Sequence, residues 1–193
     1  MRIVKGIDNE KIDQISDILY DSFSRKLNII IDDKMKACNI IKKSINSNMG
    51  FYALDDNDEV IGVLGTVTNV DRFNKLKFKS ILKEYSFLKT LIKYIPLKIE
   101  SMKIVKKNEV YINLFAVKKG YRGRGIGSEL LNTITSHFKE TGYKYLRLTV
   151  INTNTGAKKM YEKHGFSLER ETKYGFLTKK AGFTSVYHMR KEL

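Results

Sequence analysis

"YRGRGIGSELL", residues 121–131, sets three glycines and two arginines into seven positions and then turns apolar. Glycine at alternate positions costs backbone entropy, so the run is a poor interior for a helix or a strand. Its neighbours say what it connects. Before it, "EVYINLFAV" (109–117) reads as a buried strand. After it, Leu130, Leu131, Ile134 and Phe138 recur at helical spacing until Gly142, and "YKYLRLTVI" (143–151) is rich in β-branched and aromatic residues. A strand that ends in a bare turn and opens a helix aims unpaired N–H groups at whatever lies above the helix N-terminus, an arrangement that suits phosphate. Gly123, Gly125 and Gly127 allow close approach, while Arg122 and Arg124 add charge. No Lys-Ser or Lys-Thr follows, which excludes the nucleoside-triphosphatase loop. The G-x-G-x-G spacing, late in the chain, also fails the dinucleotide fingerprint. On physics alone this is a pyrophosphate site.

Outward from the loop, residues 1–7 read as a strand and about 9–25 as an amphipathic helix through Ile12, Ile15, Ile18, Leu19 and Phe23. A second helix has Asp32 or Asp33 as its cap, with Met35, Cys38, Ile41 and Ile45 on one face. "GFYALDDNDEVIGVLGTVTN" (50–69) is a hairpin around an acidic turn. Phe78, Ile81, Leu82, Tyr85, Leu88, Ile92 and Ile95 mark a helical stripe that Pro96 closes. "NTNTGAKKMYEKHG" reads as a capped helix stopped at Gly165, followed by strands around 166–174 and 183–190. The order implies an α/β (α+β) fold of three layers.

The chain has 193 residues, which suits one domain spanning 1–193. No apolar run reaches the length of a membrane span, and the N-terminus lacks the apolar core of a signal peptide, so a cytoplasmic protein is expected. One cysteine and three scattered histidines argue against an internal disulfide and a His/Cys metal site; no metal is expected. The net charge of +15 raises nucleic-acid and membrane partners. However, 28 of the 36 basic residues are Lys, whereas bidentate recognition of phosphate and guanine favours Arg. Residues 71–108 carry Arg72 and ten lysines against Asp71, Glu84 and Glu100, a net +8. This lysine-rich helical insertion reads as packed on the domain with its charges in water, in preference to a membrane-surface helix.

"LFAVKKGYRGRGIGSELL" resembles the acyl-CoA-binding segment of the GNAT superfamily of N-acetyltransferases, R/Q-x-x-G-x-G/A, filled here by Arg122, Gly125 and Gly127. "NTGAKKMYEKHGF" resembles the family's second segment, N-x-x-A-x-x-L-Y-x-x-x-G-F, with Asn154, Ala157, Met160, Tyr161, Gly165 and Phe166 in its places. The resemblance implies a mostly antiparallel mixed sheet whose strands on either side of the loop splay apart around acetyl-CoA. It places pantetheine against the backbone of Phe115, Ala116 and Val117. Pyrophosphate falls to the N–H groups of Arg122, Gly123, Arg124, Gly125, Ile126 and Gly127, and Asn154 caps a helix near the cofactor. An amine of a small molecule or a protein attacks the thioester directly, backbone N–H groups hold the oxyanion, and Tyr161 protonates the thiolate.

The general base is open. Many family members have a Glu where this chain has Tyr111. Strand parity sets Glu109, Tyr111, Asn113 and Phe115 on one face, so either Glu109 acts through water or solvent takes the proton; an exposed strand-end charge is the plain alternative for Glu109. His137 and His164 read as surface or cap residues. A polyamine acceptor is disfavoured because the 71–108 segment, expected to border the acceptor site, has few acids. The oligomer is a monomer or a homodimer. The rival reading is a basic module that keeps the fold for nucleic acid, a membrane surface or acyl-CoA sensing.

Overall fold

The computed structural model describes residues 1–31, 33–90, 93–94, 104–175, 178 and 182–193. Seven strands form one sheet: β1 (Arg2–Lys5), β2 (Gly50–Leu54), β3 (Val60–Val67), β4 (Glu109–Val117), β5 (Tyr145–Ile151), β6 (Ser167–Lys173) and β7 (Ser185–Glu192). Their order is β1-β2-β3-β4-β5-β7-β6. Only β4 and β5 pair in parallel. That pair needs a crossover, and the helix after the glycine loop supplies it. β2 and β3 are buried at every position, which is why both read as apolar runs without alternation.

Helices cover both faces. On one, α1 (Ile12–Leu27) places Ile15, Ile18 and Leu19 against Tyr52, Leu54, Val60 and Val63. On the other, α4 (Ile126–Glu140) packs Ile126, Leu130, Leu131, Ile134 and Phe138 on Phe51, Ala53, Leu64 and Leu146, beside α5 (Thr155–Lys163). The three expected layers are present. His137 lies edge-on to Phe51 at 5.3 Å, a packing contact, and His164 is the C-cap of α5.

Two apolar stripes differ from the sequence reading. In α2 (Lys34–Ser44), capped by Asp33 through the Lys36 N–H, the buried residues are Ala37, Cys38, Ile40 and Ser44, whereas Met35 is 73% exposed. Cys38, Ile41 and Ile45 pack as expected; only Met35 leaves the packed face, which at about 100° per residue extends instead through Ala37, Ile40 and Ser44. Asp32, the other expected cap, lies outside the described residues. The stripe from Phe78 is also not one continuous helix. α3 (Phe78–Leu82) ends in a turn, and helix resumes at residues 87–90. Ile81 and Tyr85 pack with Leu76 on Ile31, Ala37 and Ile40, while Phe87 stays 66% exposed, with Leu82 and Leu88 exposed nearby. Glu84 in the turn receives hydrogen bonds from Lys43 and Asn39 of α2. This tertiary tie fixes the break where local periodicity predicts continuity. Ile92, Ile95 and Pro96 lie outside the described residues.

Gly65 shows how tightly the α1 face is filled. A Cβ there would stand 2.5 Å from the Phe73 ring, against backbone that has no positive φ to strain. Gly65→Ala should therefore destabilise the fold by about 1–3 kcal/mol through overpacking, lowering Tm by roughly 2–4 °C for each kcal/mol. A melt indistinguishable from wild type would show that Phe73 moves freely.

Candidate active site

The parallel pairing of β4 and β5 runs from Glu109↔Tyr145 to Ile112↔Leu148 and stops, although β4 continues to Val117 and β5 to Ile151. The strands part there. The cause lies on the opposite edge of β4: Gly65 pairs with Leu114 but Thr66 with Ile112, so β4 carries one extra residue, Asn113. A bulge of this kind bends its strand away from a straight neighbour. It also resets the side-chain alternation. Ile112 and Phe115, three apart, both pack on the α4 face, while Leu114 and Ala116 pack on the α1 face. Phe115 is thus not on the face of Glu109 and Tyr111, contrary to simple parity.

The parting leaves an open backbone edge. Lys118 N–H donates to Ile61 O at 2.9 Å, and antiparallel alternation then commits Ala116 to β3 while Phe115 and Val117 point their backbone groups into the gap. Ala116 therefore drops out of the expected pantetheine edge: its backbone is spent on β3 and its side chain packs with the α1 layer.

The glycine loop closes one end of this gap. Gly123 (φ 78°) and Gly125 (φ 81°) take left-handed backbone, with nothing within 4 Å of where a Cβ would stand. Gly127 serves packing instead, because its Cβ would meet Met160 Sδ at 3.1 Å and Phe115 Cζ at 3.5 Å. α2 and α5 are capped by Asp33 and Asn154 side chains, but α4 starts at Gly125 with no side-chain cap. The N–H groups of its first turn have no partner within the helix. The two arginines lie less freely than expected. Arg122 Nε donates to Val117 O at 2.9 Å and Nη2 to Ser22 Oγ at 3.2 Å, tying the loop to α1. The Arg124 guanidinium lies 5.3 Å from the Tyr121 ring centre. Asn154 caps α5 by accepting from Ala157 N–H at 3.2 Å.

Tyr161 of α5 packs beside Phe115 of the parting strand. It is 7% exposed, with its ring 6.2 Å from Phe115 and 5.8 Å from Phe166. Among the described residues its hydroxyl has no hydrogen-bond partner. Burial, helped by nearby Tyr111, holds its proton well above the ordinary tyrosine range. Tyr111 shares a hydrogen bond with Thr149 across the last paired rungs of β4 and β5. Glu109 is not an exposed strand-end charge: it is 6% exposed and paired with Arg147 at 3.3 Å, and Arg147 also binds Glu169. The Glu109 carboxylate is thus committed to a structural ion pair with Arg147. Sequence reasoning gave no role to Asn113 or Thr149. The signal for Asn113 was present, a polar residue and poor strand former inside the apolar run "YINLFAV".

Burial also pushes up the proton affinity of Tyr52, which is fully enclosed. Tyr52 and Tyr161 both hold their protons more tightly folded than unfolded. Their contribution to stability is complete below the unfolded pKa of about 10 and is lost as pH rises beyond it. Melts between pH 8 and pH 11 should show Tm falling only above about pH 10, with a shallower fall in Tyr52→Phe and Tyr161→Phe. An unchanged fall in both variants would assign it to other groups.

The chain has likenesses among known proteins. The model of the acetyltransferase (GNAT) family matches residues 12–166. A probable spermine N(1)-acetyltransferase of Bacillus subtilis subsp. natto is 31% identical over 68 residues, covering 34% of this chain and 44% of that protein's length. An N-acetyltransferase from Staphylococcus aureus Mu50 superposes with a TM-score of 0.66 at 20% identity, over 98% of this chain and 100% of the other. A chain of the NatC complex bound to Gag peptide and CoA gives 0.61 at 15% identity, over 100% and 99%. At these identities the structures are likenesses of fold. With the family match running from α1 through the glycine loop to Phe166 just beyond α5, the chain belongs to the GNAT acetyltransferase family.

Proposed function

We propose that residues 1–193 act as one catalytic domain that transfers the acetyl group of acetyl-CoA directly to a primary amine. The observation that carries this reading is the parting of β4 and β5 after Ile112 and Leu148, next to a helix N-terminus without a side-chain cap. The gap-facing backbone of Phe115, and the N–H of Val117 whose carbonyl is taken by Arg122 Nε, would pair with the pantetheine amides. The N–H groups of residues 122–127, with Arg122 and Arg124, would hold the pyrophosphate. When bound, acetyl-CoA supplies an activated thioester carbonyl. Tyr161 keeps a proton on its hydroxyl for the departing sulfur, and its burial keeps that proton in place through neutral pH. With Glu109 engaged by Arg147, water takes the proton of the incoming ammonium, whose ordinary pKa is about 10.4. The rate should accordingly rise with pH as the free amine becomes populated.

The acceptor we favour bears a carboxylate or phosphate besides its amine. Two acids of the lysine-rich segment are already used internally, Glu84 by Lys43 and Asp71 by Lys75. Lys77, Lys79, Lys83 and Lys89 are exposed. A polycation would find little to hold it there. Thiol release should be measured with 4-aminobutyrate, an alanine-initiated peptide and spermine, the last because of the partial relative. Replacing Lys77 and Lys79 with Gln should raise KM for the acidic amine about threefold to tenfold, with acetyl-CoA binding and Tm unchanged. Preference for spermine, insensitive to both changes, would overturn the acidic-acceptor assignment.

A further inference from the structure

Among the described residues two buried side-chain oxygens lack a hydrogen-bond partner, Asn74 Oδ1 and Asn113 Oδ1. Only Asn113 lies on the strand that opens the gap. It is the extra residue of the β4 bulge, one position beyond Ile112, the last rung shared with β5. Strand alternation turns Ile112 to the α4 face and Asn113 to the other, the face of Tyr111 and its partner Thr149. Tyr161 lies on the α4 side. Where the strands part, β4 therefore carries an unsatisfied carboxamide oxygen on the face opposite Tyr161.

An unpaired buried carbonyl is costly, so the oxygen calls for a partner hydrogen. A carboxamide oxygen only accepts, and its partner must carry N–H or O–H. The acetyl end of a thioester has neither. We infer that Asn113 Oδ1 accepts a hydrogen bond from the acceptor's amine nitrogen and orients it toward the thioester, an inference that rests on the acetyl-transfer reading above. Neutrality matters here. A carboxylate at this position would favour the ammonium form, which cannot attack, whereas an amide orients the nitrogen without raising its pKa. Asn113 is in this sense a positioning and specificity-determining residue. It disfavours acceptors whose attacking atom is bare of hydrogen.

The test uses the full chain, acetyl-CoA, and whichever of 4-aminobutyrate, an alanine-initiated peptide or spermine gives the fastest wild-type thiol release. Asn113→Leu removes the orphan oxygen at similar volume. It should keep the acetyl-CoA thermal shift while kcat/KM for the amine falls about tenfold or more. Asn113→Asp, which is isosteric and keeps the assay decisive if the Leu variant folds poorly, should move the alkaline rise of the rate to higher pH. Wild-type turnover with unchanged amine kcat/KM and pH profile in both variants overturns this inference alone, and assigns the oxygen to a trapped water. No amine-dependent thiol release from the wild type overturns the acetyl-transfer reading and this inference with it.

Discussion

Tyr161→Phe is expected to lower kcat by about 10²–10⁴-fold while leaving the affinity for acetyl-CoA nearly unchanged. The ring is held by Phe115 and Phe166, and Phe keeps those contacts, so the fold and the gap should persist. What is lost is one hydroxyl with no partner among the described residues. Because burial holds its proton, the wild-type rate should show no alkaline loss from Tyr161 until beyond the ordinary tyrosine pKa of about 10. Tyr111→Phe provides the contrast. Its hydroxyl is occupied by Thr149, so the loss should be much smaller. Near-wild-type rates in both variants, measured as thiol release at saturating substrates, would remove Tyr161 from the chemistry.

Gly125→Asp should abolish acetyl-CoA binding without unfolding the protein. The wild type should gain about 2.7 kcal/mol from acetyl-CoA at 100 times Kd, which for a chain of this size is roughly 5–10 °C in Tm. Gly125 has a φ of 81°, which Asp and Asn tolerate better than other side chains, and nothing lies within 4 Å of the new Cβ. The backbone cost should thus be modest, about 1 kcal/mol. The carboxylate would stand where the first-turn N–H groups await an anion, and repulsion removes the site. Gly125→Asn separates bulk from charge and should retain part of the shift. A full shift in Gly125→Asp, read by thermal melts with and without acetyl-CoA, would place the pyrophosphate elsewhere.

The glycine loop, the helix it opens and the place of Tyr161 were legible because each rests on local spacing. Gly123 and Gly125 need positive φ, and Gly127 needs to be small against Met160; such demands leave their mark at single positions. What was illegible depends on partners far along the chain. The bulge at Asn113 is imposed by the register with Gly65 and Thr66, and it reversed the face assigned to Phe115. Glu109 joins a part-buried ion pair because parallel pairing brings Arg147 beside it. Arg122 is held by Ser22, 100 residues away, and so is partly withdrawn from the loop's expected charge. The stripe from Phe78 breaks where Glu84 is drawn to Lys43. In each case a side chain chosen for one local role is claimed by a long-range contact, which periodicity cannot foresee.

Direct transfer across the gap between β4 and β5 fixes where a labelled acetyl group ends up when the full chain is incubated with an amine acceptor and isotopically labelled acetyl-CoA, read by mass spectrometry. Label should appear on the acceptor nitrogen in step with free thiol, with none on the protein. Label confined to free acetate or to a protein side chain, or no thiol release with any amine, would contradict it.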